Sequence, residues 1–224
     1  MQFLIYIIFI YLIPLIAFIK LLNTYNTSNE NKNSSKLSGF EIARKIMDKN
    51  ELNNMYIVEK KGSFTDIYDK NLKVVKLSTP VFNEENIYSL SMSSYIASYA
   101  ILSNKEDKMI NLKLQLDQLF RIITYFTYII LLVGICLQSE SILKISFLIL
   151  LINIIYRGIS FIIDKKVIYL AYDNLKELEL FNNEEEKSIT MILKTIRLYN
   201  LSIIILCLQD GINTIKEMID NSKR

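Results

Sequence analysis

The sequence predicts a mainly α-helical integral membrane protein that carries a small α+β part. Three observations predict it. Residues 3–22, 119–137 and 142–163 are apolar runs of roughly bilayer length. Residues 38–118, between the first run and the second, are mixed in polarity and show short helix and strand patterns. Hydrophobic residues make up 51% of the 224, yet they are too unevenly spread for one soluble core.

Composition also excludes several function classes. A net charge of +3 is too small to imply a nucleic-acid surface. The chain contains no histidine, which removes the usual forms of acid-base, triad and zinc chemistry. Cys136 and Cys207 each sit inside an apolar run and read as small buried hydrophobes, not as a disulfide or a metal pair.

In chain order, residues 3–22 read as a retained membrane anchor with Pro14 as a point of kinking. A cleaved signal peptide is the competing reading. Against it, no basic residue precedes the apolar run and no small-x-small cleavage site follows it. Residues 23–37, rich in Asn, Ser, Thr and Lys, read as a solvated linker. Ser38 is a helix N-cap and Glu41, three residues on, completes a capping box. Ile42, Ile46 and Met47 then give that helix an apolar stripe up to about Asn50.

Residues 55–58 and 73–77 read as two short strands around a loop at 62–69. Asp66 and Asp69 in this loop invite a metal or acid-base reading. The plainer one is that Asp69 opens a turn with Lys70 and Asn71, while Asp66 bonds a local amide. Pro80 ends the second strand, and Glu84 and Glu85 open a helix at 87–103, where carboxylates suit the dipole. Tyr95 and Tyr99 on this helix are four residues apart and share one face. Residues 104–108 are a charged break.

Residues 119–137 and 142–163 are linked by Gln138-Ser139-Glu140-Ser141, short enough for an antiparallel transmembrane hairpin. Arg157 is expected to snorkel to the interface with Lys165 and Lys166. A helix runs on from the membrane to about Leu180, and Glu184, Glu185 and Glu186 start a last one. Only residues 198–208 of that last helix are strongly apolar, which suits packing on the hairpin or an interfacial position. The organisation is thus an anchor at 1–22, a linker at 23–37, an α+β region at 38–118, a hairpin at 119–163 and C-terminal helices at 164–224. Lys20, Lys32, Lys36, Lys113, Arg121, Lys165 and Lys166 fall on one side if the first segment enters from outside. By the positive-inside rule residues 23–118 are then cytoplasmic and the hairpin link is exterior.

Three stretches carry a resemblance. They are Gly39-Phe40-Glu41-Ile42-Ala43-Arg44-Lys45-Ile46-Met47, Thr65-Asp66-Ile67-Tyr68-Asp69 and Lys73-Val74-Val75-Lys76-Leu77-Ser78-Thr79-Pro80-Val81. With the anchor before them and the hairpin after, the sequence resembles the bacterial membrane-integral neutral zinc metallopeptidase family. The resemblance implies a zincin-like fold for the α+β region, with the active-site helix at 87–103, in a multi-pass protein of the bacterial plasma membrane.

In the family this helix reads Ala-His-Glu-hydrophobic-Gly-His-Ala, and the matching stretch here is Ser94-Tyr95-Ile96-Ala97-Ser98-Tyr99-Ala100. The resemblance therefore implies that Tyr95 and Tyr99 stand where two zinc-binding histidines would be, and Ile96 where the general-base glutamate would be. The family's third ligand, in Glu-x-x-Ala, matches Ile168 of Ile168-Tyr169-Leu170-Ala171. A phenol with a pKa of about 10 is a poor zinc ligand at neutral pH, and Ile96 cannot take a proton. The resemblance thus implies no catalytic residue, no metal site and no cofactor, with Tyr95, Ile96, Tyr99 and Ile168 as vestigial positions expected to converge and fill the space. A carboxylate site from Asp66, Asp69 and Asp173 would be a separate invention, and no lysine adjoins Ser94 or Ser98 to activate either.

The expected function is that of an inactive homologue, a pseudopeptidase, that sits in the lipid bilayer and binds a protein or peptide partner or an active homologue. Strand 73–77 is a candidate edge for an extended peptide. An atypical active metallopeptidase and a structural membrane protein of unrelated role are the alternatives.

Overall fold

A computed structural model of the chain describes residues 2–202 and 205. The elements run α1 (Gln2–Asn29), α2 (Gly39–Lys49), β1 (Tyr56–Lys60), β2 (Ile67–Asp69), β3 (Val74–Ser78), α3 (Thr79–Asn83), α4 (Ile87–Asn104), α5 (Lys108–Cys136), α6 (Glu140–Glu177) and α7 (Glu186–Ile196). The protein is mostly helical, with a single small sheet among the described residues. It divides into two compact bodies: Met1–Ile19, Leu116–Phe161 and Leu198–Arg224 form one, and Lys20–Gln115 with Ile162–Arg197 forms the other.

The first body holds the expected hairpin. Asp117 pairs with Arg157, Phe120 stacks on Tyr156 and Thr124 accepts from Asn153, so contacts climb α5 as they descend α6. The two helices are therefore antiparallel, and both are long and apolar enough to cross a membrane. Ile122, Phe126, Ile129 and Leu132 on α5 face outward, as do Leu148, Ile152 and Ile155 on α6. A core helix of a soluble protein would bury such side chains. This surface suits hydrocarbon, and it marks a membrane protein. Both helices outrun their apolar cores, because the polar residues at 108–118 and 164–177 continue the helix with partners of their own.

Two sequence expectations fail in this body. Arg157 does not snorkel: its side chain is fully buried and its Nη1 donates to Asp117 Oδ1 at 3.1 Å. Asp117 also accepts from Tyr156 Oη at 2.8 Å, so an internal carboxylate offers the guanidinium a nearer partner than interfacial water. Cys136 is exposed, not buried, because the outer face of an apolar hairpin is as favourable a place for a small hydrophobe as its core. Cys207 and residues 203, 204, 206 and 208 of the 198–208 run lie outside the described residues.

The second body is built on a three-stranded sheet in the order β1-β3-β2. β1 runs parallel to β3 and β2 antiparallel to it, with Tyr68 opposite Val75. β2 lies inside the stretch read from sequence as a loop, where three residues, Ile67 to Asp69, are too few to show alternation. β3 is the central strand, so the expectation that 73–77 offers a free edge is wrong; β1 and β2 are the edges. The supposed linker is likewise ordered: α1 runs on to Asn29, and Asn33 is buried, its Nδ2 donating to Leu37 O at 2.9 Å.

The three quoted stretches hold this body together. Ser38 and Glu41 form the capping box, with Ser38 N donating to Glu41 Oε2 at 2.8 Å. A Cβ on Gly39 would lie 1.9 Å from Val81 O and 2.4 Å from Ser93 Oγ, so only glycine lets α2 approach this closely. Arg44 donates to the carbonyls of Leu52 and Met55, tying down the turn after α2. Asp69 accepts from Asn71 N and Leu72 N, which is the expected turn, and from Lys76 Nζ at 2.7 Å. Asp66 is buried and accepts from Ser78 N at 2.7 Å and Ser78 Oγ at 3.0 Å, pinning the end of β3.

Burial raises the Asp66 carboxyl to about 6, partly offset by the two Ser78 bonds. The raised value means the folded state holds this proton over a pH range where the unfolded state has lost it. Asp66 therefore favours folding most below its unfolded value near pH 4, and that contribution declines as pH rises to about 6. The expected total is about 3 kcal/mol, from a shift of about two pK units. Asp66→Asn should remove it: the stability difference between wild type and variant, from denaturant unfolding in detergent, should slope between pH 4 and 6 and be flat above.

Candidate functional site

The site is organised by α4, which is buried on every side from Ile87 to Ser103. Asn86, not Glu84 or Glu85, is its N-cap, accepting from Ser89 N at 2.6 Å. A helix with so many serines can be buried because the hydroxyls bond backward. Ser91, Ser93 and Ser98 donate to the carbonyls of Ile87, Ser89 and Ser94 at 2.9, 2.6 and 2.8 Å. Ser94 instead reaches across, its Oγ donating to Ala171 O on α6 at 2.8 Å.

Tyr95 and Tyr99 share one face as the spacing requires, and both are buried. Their rings meet edge to face with centroids 5.1 Å apart, and their hydroxyl oxygens lie 3.0 Å apart. Tyr99 Oη also donates to Asp164 Oδ1 and accepts from Lys113 Nζ at 2.9 Å. Its single proton is committed to Asp164, so in the pair of phenols Tyr95 is the donor. Lys113 Nζ stands 3.4 Å from Asp164 Oδ1 and 4.7 Å from the centroid of the Tyr99 ring. The Lys113 and Asp164 side chains are 2% and 0% exposed. Burial first, and the Asp164 carboxylate second, hold the Tyr95 hydroxyl well above the ordinary phenol range, so it is neutral.

Lys113 comes from α5, Asp164 from α6 and the tyrosines from α4, so the network joins three helices. Sequence reasoning missed both charged members. A signal existed: Asp164 directly follows the apolar run 142–163, and an ionisable residue there calls for a partner. Ile96 is buried beside the tyrosines on α4, but Ile168 is only half-buried and lines a different cavity with Lys165 and Leu193. Over this part of α6, Asp164, Val167, Ala171 and Leu175 are fully buried, whereas Ile168 is not. Asp66 and Asp69 are committed to Ser78 and Lys76, and Asp173 is exposed.

Residues 3–200 match the family model described as "Putative neutral zinc metallopeptidase". The chain belongs to that family. It is also similar to the "Putative membrane protease YugP" of Bacillus subtilis (strain 168), with 37% identity over 68 residues. That match covers 30% of this chain and 30% of the relative's length. No solved structure matches the chain.

The family implies zinc, and the residues on α4 do not fit it. Zinc needs three or four donors with free lone pairs, drawn from His, Cys, Asp and Glu. Tyr95 and Tyr99 are neutral phenols already bonded, the one carboxylate is paired with an ammonium, and that ammonium would repel a dication. Among the described residues no three His, Cys, Asp or Glu side chains gather to hold a metal. What the arrangement does is bind α4, α5 and α6 through charge-assisted hydrogen bonds shielded from water.

Breaking one side of this pair should be costly. Asp164→Ala or Lys113→Ala is expected to lower stability by about 3–5 kcal/mol, because each strands a buried charge. Tyr99→Phe should cost about 1–3 kcal/mol, the range for a hydrogen bond to a charged group. The Lys113→Met/Asp164→Leu double variant should recover most of the loss. Thermal melts in detergent provide the measurement, and additive single and double losses would refute the coupling.

Proposed function

We propose that this family member is catalytically inactive and acts by binding, as a membrane-embedded pseudopeptidase. One observation carries the reading: Tyr99 is bonded to Lys113 and Asp164 and Tyr95 to Tyr99, at the helix positions that, with Ile96, the resemblance aligns with the zinc ligands and the general base. Zinc-dependent hydrolysis needs a metal to activate water and a base to take its proton. The Lys113 ammonium, bonded to the Tyr99 hydroxyl, would repel a cation bound beside that phenol, and no residue of α4 from Ile87 to Ser103 is an acid or a histidine.

A retained fold without the chemistry favours a role in recognition. The partner class is a membrane protein, an extended peptide or an active homologue. Since β3 is flanked on both sides, an added strand would have to pair at β1 or β2, and β1 is the edge where Tyr56 and Val58 are exposed. The lysines flanking the apolar segments support a cytoplasmic placement of residues 23–118.

Metal content and hydrolysis test the reading together. Full-length protein purified in detergent and dialysed against micromolar zinc should hold far less than one zinc per chain by elemental analysis. It should cleave an unfolded protein such as casein no faster than a blank. Stoichiometric zinc with chelator-sensitive cleavage would overturn the proposal.

A further inference from the structure

A cavity of about 440 Å³ opens between α6 and α7, away from the tyrosine network. Three cations line it: Lys165 of α6, Lys194 of α7 and Arg197, which caps α7. No Asp or Glu lines it, and Thr190 and the largely exposed Tyr169 add hydroxyls. Its remaining wall is apolar, from Ile168 and Leu193. The Tyr172 hydroxyl, also at the cavity, is already committed to Glu186. Among the described residues neither Lys165 nor Lys194 makes an ion pair.

Thr190 and Lys194, one turn apart, also line a second cavity of about 730 Å³, where Lys20 and Lys187 accompany Glu186. The α7 surface therefore gathers five cations, Lys20, Lys165, Lys187, Lys194 and Arg197, against one carboxylate.

Position along the helices gives this charge its meaning. Lys165 stands two residues past the apolar run of α6, just after Asp164, and Arg197 directly precedes the apolar residues from Leu198 onward. Each cation stands where its segment changes from apolar to polar, the level at which a bilayer places its phosphates. We propose that the cavity between α6 and α7 binds the phosphate headgroup of an anionic lipid. Lys165, Lys194 and Arg197 contact the phosphate oxygens, and Ile168 and Leu193 lie against the glycerol and first acyl carbons. Arg197 offers a planar fork to two phosphate oxygens, while the two lysines act as point charges. A free phosphate would use the same cations but would leave the apolar wall uncovered.

The test is retention of lipid by the full chain in neutral detergent, followed by native mass spectrometry against added phosphatidylglycerol or phosphatidylcholine. The expected result is selective retention of phosphatidylglycerol, weakened about 30-fold in Lys194→Ala/Arg197→Ala, since each cation near an anionic surface contributes about a factor of five. Lys194→Arg/Arg197→Lys should keep the binding, which separates loss of charge from loss of fold. Lys61→Ala/Lys70→Ala, which removes two cations of the sheet body, should leave it unchanged. Equal retention of the two lipids, equal loss in the remote variant, or no loss in Lys194→Ala/Arg197→Ala would overturn the proposal. So would displacement of the lipid by millimolar inorganic phosphate, which would assign the cations to a soluble anion.

Discussion

The ion pair of Lys113 and Asp164 is the constraint to which the interior answers. Two charges shut away from water are tolerable only when each finds its partners, and their desolvation costs several kcal/mol per ion. The surrounding residues are arranged to satisfy them. Tyr99 donates to the carboxylate, accepts from the ammonium and offers that ammonium its ring; Tyr95 fills the remaining acceptor site on Tyr99. Every member comes from a helix that must keep its rotation and its height. A slide of α5 or α6 by one residue would bury a lone charge, so the pair fixes register in a way apolar packing does not.

The residues of the three recognisable stretches have a different task, and it requires no metal. Glu41 and Ser38 close one helix end, Gly39 permits a contact that any side chain would block, and Arg44 gathers the carbonyls of the next turn. Asp66 and Asp69 fasten the two ends of β3. Except for the Gly39 contact, which reaches Val81 and Ser93, these are devices that close within about a dozen residues of sequence. They explain how a family resemblance can extend along the chain without any part played by a metal: the residues that build the scaffold are bonded to one another.

That locality also governs what the sequence disclosed. Signals confined to a short window were legible, including the capping box at Ser38, the Asp69 turn, the helix at 87–103, and the tyrosine pair on one of its faces. The hairpin was legible because bilayer length is a strong constraint on composition. What was hidden depended on partners distant along the chain. Arg157 looked like an interfacial residue until Asp117, forty positions earlier, proved to lie against it. Strand 73–77 looked like an edge because β2 is too short to announce itself. Lys113 and Asp164 lie on different helices, and only the antiparallel course of α5 and α6 brings them together. Ile168 was placed by the resemblance alone, and although it lies four residues from Asp164 and three from Ala171, it is at the margin of the inward face and only half-buried.

A simple apolar plug was the expectation for the space around Tyr95 and Tyr99, and the reason the protein differs is instructive. An apolar plug fills volume, but it does not say which turn of one helix faces which turn of another. A zinc ion in a family site would supply that information by directional bonds to several segments. On the pseudopeptidase reading, a chain lacking the ion must obtain it elsewhere, and hydrogen bonds to buried charges are the other directional device available inside a protein. Lys113 contributes the positive charge, Asp164 the acceptor, and the two phenols carry the bond from α4 to both. The same cross-link that holds the helices also occupies the Tyr99 hydroxyl and sets an ammonium against it, so on that reading the stabilising arrangement is also what disfavours a metal.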